Sequence, residues 1–141
     1  MIKKVLLFTL ILVLVTSCDK VKSTAKKMDG EWSIYSLKVT KYTGLSYYYE
    51  VSGTFKFSDF NGDEGRYNLD MTYVTPMETV EKHETGKVVL KDKGEYYDLY
   101  KENPDGSVSM IENGRIILIT KNDIKTTFQE NSETFLFILE K

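Results

Sequence analysis

The chain has 141 residues, with 19 Lys and Arg against 21 Asp and Glu, one Cys and 41% hydrophobic residues. Its net charge of −2 falls to near −4 once Lys3 and Lys4 are set aside, a balance that argues against nucleic acid as a partner. A single cysteine excludes an internal disulfide, and the roughly 110 residues that follow the N-terminal region suffice for one packed core but not for two.

In chain order, the first feature is an apolar run at residues 5–15, placed after Lys3 and Lys4 and closed by Val15-Thr16-Ser17-Cys18. As a helix this run reaches about 17 Å, roughly half of the hydrocarbon core, so it is too short to span a bilayer comfortably. Basic residues, an apolar stretch and then small residues is the order of a cleaved secretory signal. With Cys18 in last place, the order also resembles the lipobox of bacterial lipoproteins. That resemblance implies a diacylglyceryl group on the Cys18 sulfur, cleavage after Ser17 and acylation of the new amino terminus. Two or more acyl chains, at about 0.8 kcal/mol per buried methylene, anchor durably where one is marginal. The alternative is an ordinary signal with a coincidental cysteine.

Residues 19–28 (DKVKSTAKKM) combine Lys20, Lys22, Lys26 and Lys27 with small polar side chains and no aromatic. They are expected to be a flexible spacer between membrane and domain, the alternative being a first helical turn packed on the domain. The expected division is a signal peptide at 1–17, a lipidated cysteine and tether at 18–28, and a barrel domain at 29–141. No acidic run follows the cysteine, so the expected location is the bacterial cell envelope, lipid-anchored in the outer membrane and facing the periplasm.

From Gly30 onward the punctuation is all-β. Turn signals recur at Asn61-Gly62, Pro76, Lys93-Gly94, Asn103-Pro104-Asp105-Gly106, Asn113-Gly114 and Lys121-Asn122-Asp123, between runs rich in Tyr, Phe, Ile, Val and Thr. No amphipathic helix of useful length is expected. In the first strand Trp32 and Ile34 are in one phase and Leu37 and Val39 in the other, so a bulge near Tyr35-Ser36 is needed to turn all four inward. Val51, Gly53, Phe55 and Phe57 share one face, as do Tyr67, Leu69, Met71 and Tyr73, which predicts a hairpin across residues 59–65. The run from Thr134 to Leu139 is apolar on both faces and is expected to be covered on both.

Gly30-Glu31-Trp32 resembles the G-x-W motif of lipocalins, and a lipobox followed closely by that motif resembles the small lipocalin-like lipoproteins of Bacteroidota. The order of elements agrees over roughly residues 28–141: a G-x-W strand, a G-T-F-x-F strand at Gly53 to Phe57, a polar turn, then hairpins and a final aromatic strand. The resemblance implies an antiparallel up-and-down barrel of about eight to ten strands. Lipocalins also place a late basic side chain over the tryptophan, for which Arg115 and Lys141 are the candidates, neither within a clear family motif.

An eight-stranded barrel is just wide enough to be filled by its own side chains or to hold one small ligand. The large inward candidates predict a solid lower half, leaving any ligand at the upper rim. Tyr47, Tyr48 and Tyr49, placed in the segment joining the first two strands, are the rim candidates, since such rings bind with little loss of rotamer entropy, and with the inward Trp32 and Tyr73 they make up the expected ligand-binding residues. The alternative for the three tyrosines is the start of the second strand.

Asp59, Asn61 and Asp63 resemble the opening of a calcium loop, with Asp70 at the twelfth position. Glu64 stands where that loop needs glycine and strands are expected on both sides, so a polar hairpin turn accounts for the same residues. His83 is the only histidine and is accompanied by no cysteine nucleophile, so neither catalysis nor a metal or other cofactor is expected. The expected function is binding of a small apolar or amphipathic molecule at the barrel mouth. The alternative is a non-catalytic scaffold for an envelope protein partner, with an aromatic patch outside the barrel.

Overall fold

The computed structural model describes residues 20–141, with the backbone alone at 112 and 113, so Cys18 and the signal segment lie outside the described residues. A helix at residues 20–28 (α1) precedes eight strands. These are β1 (Gly30–Thr40), β2 (Ser46–Asn61), β3 (Glu64–Val74), β4 (Thr79–Lys91), β5 (Tyr96–Glu102), β6 (Val108–Ile119), β7 (Asp123–Glu130) and β8 (Glu133–Glu140). Each strand runs antiparallel to its sequence neighbours and β8 pairs with β1, closing an up-and-down barrel.

Side-chain alternation explains the closure. Along β3, Tyr67, Leu69, Met71 and Tyr73 are buried while Arg66, Asn68 and Asp70 are exposed. The β2–β3 register sets Phe57 opposite Tyr67 and Phe55 opposite Leu69, so both apolar sets face the interior. Their connection is a tight turn at Gly62 and Asp63, as the hairpin reading of the acidic segment requires. The phase change in β1 is absorbed by register shifts against both neighbours, between Ser33 and Leu37 on the β2 side and between Ile34 and Ser36 on the β8 side. Trp32, Ile34, Leu37 and Val39 are consequently all buried.

β2 is long enough to run the height of the barrel, and it bends at Gly53. The backbone there has φ +133°, and a Cβ would lie 2.1 Å from the Asp70 carbonyl oxygen, so only glycine admits the close crossing of β2 and β3.

The two ends differ. Turns at 62–63, 92–95 and 120–122 gather at one end with α1, and turns at 41–45, 75–78, 103–107 and 131–132 gather at the other. The first end is closed. Helix α1 buries Ala25 and Met28 and packs Val21 against the core, and the Trp32 indole donates a 2.7 Å hydrogen bond to the Met28 carbonyl. Residues 20–28 are therefore an ordered amphipathic helix rather than the expected flexible spacer. Val21, Ala25 and Met28 recur among the lysines with a helical period, and the barrel end that the helix covers supplies the apolar partner that a short isolated helix lacks.

Above this plug the interior is solid with rings. Phe55 stacks on Phe57 at 4.5 Å between centroids, and Phe137 meets Phe128 at 5.3 Å and Phe55 at 5.9 Å. The outer face of β8 departs from expectation: Leu136 and Ile138 are half-buried on the barrel wall, with no second layer over them among the described residues.

Candidate functional site

At the open end the ring packing gives way to a cleft of about 640 Å³ whose lining includes Val39, Tyr47, Tyr49, Tyr73, Val80 and Met77. Two strands supply its aromatic wall. Tyr47 and Tyr49 follow the inward phase of β2, opposite Val39 and Leu37 of β1, and Tyr73 ends the inward row of β3. Tyr47 stacks on Tyr49 at 6.2 Å and Tyr49 lies 5.6 Å from Tyr73, so the three rings form one continuous ladder down into the barrel. Burial raises the pKa of the Tyr73 hydroxyl, which keeps it neutral and able to donate. Lys41 and Glu133 form an ion pair across the rim, and the hydrogen bond to Glu133 raises the lysine pKa. Tyr42 and Met77 stand at the lip, with Met77 92% exposed.

Beside this apolar cleft lies a layer of charge inside the barrel. Glu84 on β4 is buried and shares its Oε1 between Lys82 at 3.1 Å and Lys101 at 3.3 Å, and Lys82 also pairs with Glu130 of β7. Burial alone would lower the Lys82 pKa, but the carboxylates of Glu130 and Glu84 outweigh it and the net shift is upward. The other Glu84 oxygen and the Tyr67 hydroxyl are buried with no hydrogen-bond partner among the described residues. Burial, then the charge of Glu84, pushes the Tyr67 hydroxyl well above its ordinary range. Both atoms lie deeper than the lining of the tyrosine cleft, on the barrel side of Tyr73. A second cleft of about 530 Å³ reaches the same layer through Lys101 and Glu130, where β6 has parted from β7 above Arg115.

Of the expected ligand-binding residues, Tyr47, Tyr49 and Tyr73 are brought together, and Tyr47 and Tyr49 belong to the start of strand β2, the alternative reading of the three tyrosines, and not to a loop over the mouth. Tyr48 takes the opposite phase and points outward, 73% exposed, with the Lys38 ammonium 5.6 Å from its ring. Trp32 is not part of the cleft. It lies at the closed end, fully buried, with Lys141 Nζ 4.6 Å from its ring centroid while Arg115 lies over Tyr96. Sequence reasoning missed Lys82, Glu84 and Lys101. The signal was present in β4, where the inward phase of Leu90 and Val88 carried back through Gly86 reaches Glu84 and Lys82. His83 faces outward between them, with Nδ1 2.7 Å from Asp70 Oδ1. Among the described residues, no group of three or more His, Cys, Asp or Glu side chains is placed to hold a metal ion.

No protein-family model matches the chain, and no curated protein sequence matches it. Among solved structures, it is similar to a de novo designed fluorescence-activating β-barrel, with a TM-score of 0.52 and 14% identity over 83% of this chain and 95% of that one. That likeness shows the fold alone.

Proposed function

We propose that the chain is a lipocalin-like lipoprotein of the bacterial envelope, anchored through Cys18, that binds a small apolar or amphipathic molecule in its open end without catalysing a reaction. The observation that carries this reading is the tyrosine ladder: Tyr47, Tyr49 and Tyr73 line a cleft of about 640 Å³ that the barrel's own side chains leave unfilled. A volume of that order suits a small ligand. The rings would take its apolar body, and a polar group on it would meet Lys41 and Glu133, which line the same cleft. Lys141 over Trp32, at the start of a G-x-W strand, adds support for the lipocalin likeness. The designed barrel of similar fold is described as fluorescence-activating, which illustrates that such a barrel can be made functional at this size.

The test is native mass spectrometry of the chain from residue 19 onward, paired with titration of a fluorescent apolar probe. The reading expects a co-purified small molecule or saturable probe uptake. Neither appearing would remove it. A second reading, a scaffold for an envelope protein, is favoured by Tyr35 and Tyr48, which are exposed on the outer wall. It expects a reproducible partner in a crosslinking pull-down from membranes, and none being recovered would count against it.

A further inference from the structure

We infer that the outward face of α1 is a docking surface for an anionic bilayer, which holds the barrel with its closed end on the membrane and its mouth turned away. The inference rests on the proposed anchor at Cys18 for which membrane is meant, and on the described helix for the contact itself. At 100° per residue, Val21, Ala25 and Met28 fall on one side of α1 and are taken up by the barrel. Lys20, Lys22, Ser23, Lys26 and Lys27 fall on the other, and all five are exposed. The outward face thus carries four ammonium groups and no carboxylate, and none of the four makes an ion pair among the described residues. Asp29 and Asp59 share the groove between the helix and the β2–β3 turn with Lys22 and Lys26 without forming an ion pair to either, so the lysines still outnumber the carboxylates along this edge of the face.

The helix cannot swing freely to reach a surface on its own. Its Met28 carbonyl is bonded to Trp32, and Thr24 sits so close to Gly94 that a Cβ there would lie 2.5 Å from the threonine hydroxyl. Docking the lysine face consequently fixes the whole barrel. Cys18 precedes the first residue of the helix by two positions in the sequence, so an acyl chain on it would bring the helix close to the headgroups. Basic clusters next to a lipid anchor gain from anionic headgroups in this way, and the gain is screened by salt. The tyrosine cleft, at the far end of the strands, then opens to the aqueous side. Its ligand would arrive from solution or from a facing partner, not from the bilayer that holds the protein.

The experiment uses the full chain recovered from membranes, with a fluorophore placed through Ser23→Cys on the helix face or through Met77→Cys at the mouth. Intact mass first reports whether Cys18 is acylated. The protein is then reconstituted in vesicles containing nitroxide-headgroup lipid, either neutral or with about 30% phosphatidylglycerol. On anionic vesicles, quenching at position 23 should exceed that at 77 by about threefold or more, and should fall on raising salt to about 0.5 M or in Lys22→Glu/Lys26→Glu. Quenching at 77 equal to that at 23 would overturn the orientation. Quenching at 23 that is the same on neutral and anionic vesicles and indifferent to salt would overturn the electrostatic contact. An unmodified Cys18 would overturn the anchor, and the helix contact is then read with Cys18→Ser in both labelled chains, so that the fluorophore sits only at 23 or at 77.

Discussion

The two ends of this barrel are built from the same strands and differ in what their inward positions carry. At the closed end the inward row is Trp32, Phe55, Phe57 and Phe137, sealed by Met28 of α1, and all four rings are fully buried. At the open end the same strands deliver Tyr47, Tyr49 and Tyr73, and their neighbours deliver Lys41, Lys82, Glu84, Lys101, Glu130 and Glu133. Phenylalanine has nothing to offer a ligand once it is packed, whereas a tyrosine at the water boundary still has its hydroxyl and one face of its ring. The difference teaches that stability and binding are assigned to opposite halves, and the halves should respond differently to perturbation.

The largest effect belongs to the closed half. Phe137→Ala removes a fully buried ring from the aromatic column and should cost about 3–5 kcal/mol, read as a drop in chemical-denaturation midpoint with little change in probe affinity per folded molecule. Next comes the charged layer. Glu84→Ala leaves Lys82 and Lys101 without their shared carboxylate and should cost about 3 kcal/mol, whereas Glu84→Gln, which keeps the shape, should cost less in the same urea titration.

The charged layer and the buried phenols also set the alkaline limit. The pKa values of Lys82, Tyr67 and Tyr97 are all raised on folding from their ordinary values of 10.5 for the lysine and 10.0 for the tyrosines. A raised pKa contributes stability that is complete below the unfolded value and is lost as pH rises through the folded one. Thermal midpoints should hold up to about pH 10 on this account and then fall, and Tyr67→Phe should weaken that fall. The smallest effect is expected on the outer wall, where Tyr48→Ala should change stability by no more than about 0.5 kcal/mol.

Most of the barrel was legible because its strands obey a period of two. The bulge in β1 followed from the clash of phase between Ile34 and Leu37, and the β2–β3 hairpin from Phe55 and Leu69. The period itself cannot say which height of the barrel a residue occupies, so Trp32 and Tyr49, both inward, were grouped in one site although the structure puts them at opposite ends. Register supplied what alternation lacked. Tyr48 shows the same limit from the other side, since a run of three identical residues hides the phase that separates its middle member. Helix α1 is only the alternative reading of its segment because its apolar residues are few and gain their partner only from the assembled barrel, and Glu84 escaped because charge at an inward position is paired by residues on other strands.

The separation of roles is tested most directly by probe uptake in two double variants. Tyr49→Ala/Tyr73→Ala strips the inner ladder, and Tyr35→Ala/Tyr48→Ala strips the outer wall. Saturable binding of a fluorescent apolar probe should be abolished or weakened about tenfold or more in the first and unchanged in the second, from the loss of two stacked rings. No uptake by the unaltered chain, or equal loss in both variants, would contradict the assignment of the open end as the binding site.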